Sequence, residues 1–310
     1  MRNIDDIVKF AKERGPKTIS VACCQDKEVL IAVENARKQH MIEAILVGDI
    51  EKTREIAKTL NIDLNNYELV DIKDLSQACL KAVEIVSTGK AHMVMKGLVD
   101  TSIILKAVLN KEIGLRTGNI LSHVAVFDIE GYDRLFFITD AAMNLAPGVN
   151  EKKQIIENAC SVARALDIEE PKVALICARE KVNPKMKDTV EAKELEEMYL
   201  NGEIKNCIVG GPFALDNAIS EESARHKGIN HPVAGKADIL VVPDIEAGNI
   251  LYKSITYFAK CENAGLIVGS KAPIILTSRA DSDKTKLNSI ALGVLASTRS
   301  EERRVGKECR

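Results

Sequence analysis

Three short segments of this 310-residue chain bring together residue types that hold anions or carry reactive groups. The first is Lys96-Gly97-Leu98-Val99-Asp100-Thr101-Ser102, which leads into a helix with Ile103, Ile104, Ala107 and Val108 on its apolar face. Backbone N–H groups at a helix start, two hydroxyls and a lysine suit a phosphate group. The same residues also fit a Thr or Asp N-cap beside a solvated lysine. Their spacing matches neither a P-loop nor the Gly-x-Gly-x-x-Gly of a dinucleotide fold.

The second segment is Arg116-Thr117-Gly118-Asn119, with Ser122 just beyond. Arginine makes paired hydrogen bonds to phosphate oxygens, and glycine permits close backbone approach. A solvent-facing arginine in a turn is the alternative. The third, Thr277-Ser278-Arg279-Ala280-Asp281-Ser282-Asp283, follows an apolar Pro-Ile-Ile-Leu run and is the densest cluster of reactive groups. Its structural alternative is a Ser/Asp capping turn with one salt bridge.

Other chemistries find little support. Histidines 40, 92, 123, 226 and 231 form no His-x-x-x-His or His-Cys pair, which disfavours a metal site. No Gly-x-Ser-x-Gly elbow is present, which argues against the hydrolase type of acyl-serine. Cys23-Cys24 lies on an apolar strand and reads as packing.

The elements that must carry these segments follow one rhythm. Strands are expected at 18–24, 44–47, 67–72 and 92–95, with amphipathic helices between them, two of them opening at Asp26 and Asp74. Strands alternating with helices imply parallel pairing. Segments 121–129 and 135–139, separated by Gly131-Tyr132-Asp133, fit an antiparallel hairpin. The rhythm then restarts, with helices at 151–166 and 187–200 and strands at 172–178, 207–211 and 239–242. A helix from about Ala247, strands at 266–268 and 274–276, and a last helix from near Ser282 complete it. The class is therefore α/β, in two lobes with mainly parallel sheets, and Pro147-Gly148 marks a boundary near 140–150. In open α/β sheets ligands bind at the carboxyl ends of strands, where all three segments fall.

Bulk properties set the remaining limits. The chain is 46% hydrophobic and 28% charged, with a net charge of −2, so no basic footprint for nucleic acid is present. Aromatics make up 4% and Trp is absent, which leaves the core to aliphatic residues. No apolar run approaches the ~20 residues that span a bilayer, and the first residues lack a signal-peptide core. Eight cysteines without a Cys-x-x-Cys read as reduced thiols in a cytoplasmic protein. Residues 299–310, highly charged and without helical apolar spacing, read as a non-native tail.

The strand-end segments together resemble the phosphate acetyl/butyryl transferases. The resemblance rests on Lys96–Ser102, Thr139–Pro147, Gly210–Ala218, Ala237–Asp244, Gly248–Lys253 and the Ser278-Arg279 turn, in order along the chain. It lies nearer the butyryl branch than the acetyl branch. It implies a fold like the isocitrate/isopropylmalate dehydrogenase group: two α/β lobes flank a cleft, and the chain returns to the first lobe at its C-terminus. The lobes would be 1–142 with 279–298, and 143–278.

By that resemblance Ser278 and Arg279 would bind phosphate and steady the developing oxyanion. The acetyl enzymes place an aspartate six residues after that arginine, where this chain has Thr285, so Asp281 and Asp283 are the nearest candidates for a general base. Lys96, Thr101, Ser102, Arg116, Thr117 and Ser122 would approach the phosphates of coenzyme A or inorganic phosphate. Asp140 and Asn144 would line the cleft. Coenzyme A and acyl-CoA would be substrates, with no permanently bound cofactor, no nucleic-acid or membrane partner, and a homo-oligomeric assembly. The rival classes are a nicotinamide-dependent dehydrogenase and a non-catalytic acyl-CoA sensor.

Overall fold

The computed structural model describes residues 1–278 and 281–308, with side chains as far as Thr298. In chain order the first elements are helix α1 (Ile4–Arg14), strand β1 (Lys17–Ala22), α2 (Lys27–Lys38), β2 (Ile42–Gly48), α3 (Ile50–Leu60), β3 (Glu68–Asp71), α4 (Leu75–Ser87), β4 (Met93–Lys96) and α5 (Thr101–Val108). There follow β5 (Ser122–Ile129), β6 (Phe136–Thr139), α6 (Val149–Ala165), β7 (Lys172–Ile176), α7 (Lys187–Leu200), β8 (Ile208–Phe213), α8 (Leu215–Ile219) and α9 (Glu221–His226). The last are β9 (Ile239–Val241), α10 (Ile245–Phe258), β10 (Cys261–Val268), β11 (Ile274–Ile275) and α11 (Asp283–Glu308). No described helix is long and apolar enough to cross a membrane.

The chain divides into two compact units, one of Ile4–Asn119 with Ala264 onward, the other of Met1–Asn3 with Ile120–Asn263. In the first unit the strands run β3-β2-β1-β4-β11, all paired in parallel, and β10 joins β11 antiparallel through Ile267 and Ile274. Helix α11 packs on both α1 and α2, while α4 packs on α5 and on β1, β2 and β4. Aspartates at strand exits start the crossover helices. Asp26, Asp49 and Asp74 each accept the backbone N–H three residues on, at 2.8, 3.2 and 2.8 Å, which satisfies a donor that the helix leaves without an internal partner.

Helix α11 crosses the strands that matter most for the site. A side chain at Gly293 would place Cβ 2.9 Å from Met93 Sδ and 3.1 Å from Ile275 Cδ1, so the bare backbone there lets the helix press onto β4 and β11. The helix runs on to Glu308, through the residues whose charge gives no helical pattern in the sequence.

In the second unit the order is β5-β6-β9-β7-β8. Strands β5 and β6 form the expected antiparallel hairpin, and β6, β9, β7 and β8 are parallel. Phe127, Phe136, Ile138, Phe213 and Leu240 fill the core, with Phe127 and Phe136 stacked at 5.6 Å between ring centroids. Leu251, Tyr252 and Ile255 of α10 close it on one side.

Candidate functional site

The first unit gathers two of the three anion-type segments at one sheet end. Parallel pairing sets Val94 beside Ile274 and Met95 beside Ile275, so Lys96 and Leu276-Thr277 leave the sheet in the same direction. Ala22 stands beside Lys96 on the other side, which adds the exit of β1. Three carboxyl ends thus carry Cys23-Cys24, Lys96–Ser102 and Thr277-Ser278, the position at which α/β sheets expose loops to ligands.

The Lys96 loop is held against the neighbouring strand exit. Gly97 N–H donates to the Ala22 carbonyl at 2.8 Å, and Leu98 N–H to the Cys23 carbonyl at 2.9 Å. A Cβ on Gly97 would lie 2.2 Å from that Cys23 oxygen, so only glycine permits this approach. Lys96 is not a solvated lysine. Its side chain is buried, with the residue 5% exposed, and Nζ donates to the Gly97 and Val99 carbonyls at 3.3 and 3.1 Å. Thr101 and Ser102 are exposed in the first turn of α5. Asp100 occupies the N-cap position, yet its carboxylate makes no capping bond, so the cap alternative does not account for this loop.

Arg116 and Thr117 are also exposed. Thr117 Oγ1 donates to the Gly269 carbonyl at 2.5 Å and accepts the Asn119 N–H at 3.2 Å, while Lys271 N–H donates to the Leu115 carbonyl at 2.8 Å. This turn is therefore tied to the connection between β10 and β11.

In the third segment the described flanking residues bond to one another. Ser278 N–H donates to Asp281 Oδ2 at 2.7 Å, and Asp281 N–H returns to the Ser278 carbonyl at 3.2 Å. Ser282 Oγ accepts the Thr285 N–H at 3.1 Å and so caps the helix behind it. Ser278 is exposed, Asp281 half-buried and Asp283 exposed in the first turn of α11. Arg279 lies outside the described residues. Thr285, at the position where the acetyl enzymes carry aspartate, gives its carbonyl to Ser289 Oγ at 2.8 Å.

One residue here carries no signal in the motifs. Lys286 is buried, and its ammonium donates to the Asp281 carbonyl at 2.5 Å and the Ser278 carbonyl at 3.5 Å. The clue available in the sequence is its place on α11, four residues before Ile290 and eight before Val294, both buried. A lysine on the core side of an amphipathic helix asks for an internal partner.

Ser122, Asp140 and Asn144 belong to the second unit and are drawn together there. Ser122 is fully buried, and its Oγ accepts from Asn158 Nδ2 at 2.9 Å. Asp140, also buried, accepts N–H groups from His123, Ala142, Met143 and Asn144 at 3.0–3.1 Å and Asn144 Nδ2 at 2.6 Å. Asn144 Nδ2 also reaches the Leu121 carbonyl at 2.8 Å. The Asp140 carboxylate thus organises the turn that follows β6, a role the polar composition of 139–147 does not specify.

Residues 3–79 and 72–294 match the sequence profile described as phosphate acetyl/butaryl transferase. The chain is similar to a phosphate butyryltransferase of Clostridium beijerinckii, 54% identical over 97% of this chain and 99% of the relative. It is also similar in structure to a branched-chain phosphotransacylase of Enterococcus faecalis, with a TM-score of 0.81 and 37% identity over 91% of this chain and 99% of that one. A 4-hydroxythreonine-4-phosphate dehydrogenase of Burkholderia phymatum shares the fold at a TM-score of 0.54 and 12% identity, over 91% of this chain and 98% of that one.

Proposed function

Because the chain belongs to the phosphate acetyl/butaryl transferase family, we propose that it catalyses butanoyl-CoA + phosphate = butanoyl phosphate + CoA. The observation that carries this reading is the 54% identity to a phosphate butyryltransferase over nearly the full length of both proteins. Coenzyme A and acyl-CoA are substrates in it. The isocitrate/isopropylmalate dehydrogenase-like arrangement of two lobes about a cleft is part of the same proposal, and the dehydrogenase neighbour supports it at the level of fold.

A phosphate oxygen attacks the thioester carbonyl, a C–O bond forms, the C–S bond breaks, and the electron pair leaves on the thiolate. In reverse, the thiol gives up its proton and the thiolate attacks the acyl phosphate. A free thiol titrates near 8.5, so a nearby carboxylate and cation favour the reactive form. Asp281 and Asp283 are the acids nearest in sequence to Ser278-Arg279, and Arg279 aimed at the tetrahedral oxygen would be worth about 3–4 kcal/mol of barrier. Transfer is direct, within a ternary complex. An acyl-enzyme trapped after mixing with acyl-CoA alone contradicts it.

Acyl preference follows from apolar contact. Each buried methylene is worth about 0.8 kcal/mol, so acetyl transfer is the slower activity of the same site and not a separate function. Free thiol release from butanoyl-CoA with and without phosphate tests the assignment: a transferase requires phosphate, and a dehydrogenase or an acyl-CoA sensor releases no thiol. Arg279→Ala is expected to lose turnover by roughly 100-fold or more with little change in acyl-CoA affinity. Equal losses in both favour the sensor.

The homo-oligomer is also proposed, through α10. Of its fourteen residues only Gly248 is buried, and Ile250, Tyr257 and Phe258 are exposed, the last at 90%. Leu145, also exposed, accepts the Ile245 N–H at the start of this helix and extends the apolar surface. Such a surface marks an interaction site. The occupant is a second copy of this chain, because a single exposed apolar patch of this kind can meet itself across a two-fold axis.

A further inference from the structure

Beside the exit of β1 lies a pair of thiols that acyl transfer leaves unused. Cys23, the first residue beyond β1, and Cys79, one turn into α4, place their Sγ atoms 3.9 Å apart, and both residues are fully buried. Cys23 Sγ also lies 3.7 Å from the Leu75 carbonyl, at the start of the same helix. Cys24 is engaged elsewhere, with Sγ 3.4 Å from Thr53 Oγ1.

A hydrogen bond from Cys23 and the charge of the Lys96 ammonium hold the Cys79 thiol below its ordinary range in spite of burial, while the same bond and burial push Cys23 up. One sulfur is thus inclined toward thiolate and the other keeps its proton, as an attacking and a resolving cysteine require. The residues bonded to Cys23 are themselves at the surface, Leu75 at 38% exposure and Leu98 at 44%. The thiols therefore lie one layer down, within reach of a small oxidant when that layer opens locally.

The pair is tied to the loop after β4. The Cys23 carbonyl accepts the Leu98 N–H at 2.9 Å, and a Cβ on Gly97 would lie 2.2 Å from the same oxygen. Cys23 has a left-handed backbone, with φ at 54°, so its neighbours and not its own preference fix where thiol and carbonyl sit. Sulfurs in a disulfide are about 2 Å apart, and forming one here closes the present gap by roughly half. Helix α4 is packed against β1, β2, β4 and α5, which leaves Cys23 as the residue that moves and draws its carbonyl away from Leu98.

We propose that Cys23 and Cys79 form a redox-sensitive dithiol site, oxidised to a disulfide by hydrogen peroxide, and that this bond releases the Lys96–Ser102 loop from β1. The Cys79 thiolate attacks the peroxide, an S–O bond forms, the O–O bond breaks, and the departing hydroxide takes up the proton Cys79 had shed. The Cys23 sulfur then attacks the sulfenic acid, the S–S bond forms, the S–O bond breaks, and water leaves with the Cys23 proton. The two thiols lose two electrons, the peroxide becomes two waters, and an external dithiol reverses the change. The site and its oxidation stand apart from the transferase reading, and only the effect on turnover rests on it.

The test treats the reduced full-length chain with hydrogen peroxide, removes the peroxide, blocks free thiols and maps disulfides by mass spectrometry without reduction. A Cys23–Cys79 cross-link that dithiothreitol clears is the expected product. Deuterium exchange in the peptide covering 97–102 is expected to quicken roughly tenfold or more on oxidation, because the Leu98 N–H loses its acceptor. Phosphate-dependent thiol release from butanoyl-CoA is expected to fall by a similar factor and to return with dithiothreitol. Cys79→Ala abolishes both responses to peroxide, and Cys24→Ala keeps them. No disulfide, a disulfide between other cysteines, or sulfinic acid at Cys79 without a cross-link overturns the proposal, as does a Cys23–Cys79 bond that alters neither exchange nor turnover. A parent protein without turnover before oxidation contradicts the transferase reading instead, and the disulfide map and the exchange then decide the proposal by themselves.

Discussion

Met95 and Ile275 stand side by side in neighbouring parallel strands, and this single register fixes where the two best candidate anion loops emerge. One residue later the chain reaches Lys96 on one strand and Leu276 on the other. A slip by one position would turn every side chain of the shorter strand to the opposite face. Strand β11 has only two residues in the sheet, so its register is held by packing as much as by hydrogen bonds: Gly293 of α11 lies against both Ile275 and Met93.

Gly97 is the most sensitive backbone position of the site. Its missing Cβ would sit 2.2 Å from the Cys23 carbonyl oxygen and 2.7 Å from that of Ala22, both backbone atoms that cannot swing aside. Gly97→Ala is expected to push the Lys96–Ser102 loop off β1, with a stability loss of about 1–3 kcal/mol and a larger proportional loss of turnover. Chemical denaturation beside steady-state kinetics checks both.

Assembly through α10 predicts that charge on its exposed face separates the copies. Tyr257→Glu combined with Phe258→Asp is expected to shift the species seen by analytical ultracentrifugation to the monomer while far-UV circular dichroism stays unchanged. A parent protein already monomeric at micromolar concentration contradicts the proposal.

The Glu34 cluster sets a pH dependence remote from the site. Burial alone would raise this carboxyl, but hydrogen bonds from Arg37, Tyr67 and Lys38 outweigh it and bring it down from 4.5 to about 2. A carboxylate with a lowered folded pKa stabilises the fold above its unfolded value, and that contribution disappears as pH falls from about 4.5 toward 2. Its size at neutral pH is on the order of 2–3 kcal/mol. Glu34→Gln is therefore expected to be less stable than the parent at pH 7, with a gap that narrows steadily in urea titrations between pH 5 and pH 3.

Much of the fold is legible in the sequence because its signals are local. Alternating apolar runs, aspartate caps at residues 26 and 74 and the Gly131 turn each specify an element within a few residues, and the elements stand where those signals fall. Pairing is less legible. That β11 inserts next to β4, some 180 positions earlier in the chain, depends on how α11 packs, and no local pattern encodes it. The site divides in the same way. Thr101, Ser102, Arg116 and Ser278 are recognisable by type and lie exposed, the first two in the opening turn of α5 and the others outside the regular elements. The inward-facing half is not: residue type reveals neither the carbonyl partners of Lys96 nor the five N–H donors to Asp140, and Lys286 sits in a helix without a motif.

The most direct test of the account follows the acyl group itself. Purified protein is mixed with butanoyl-CoA and inorganic phosphate, and phosphorus NMR watches for butanoyl phosphate as free thiol appears. The account predicts equal amounts of the two products, neither forming without phosphate. Thiol release without an acyl phosphate, or no turnover at all by a folded protein, would contradict it.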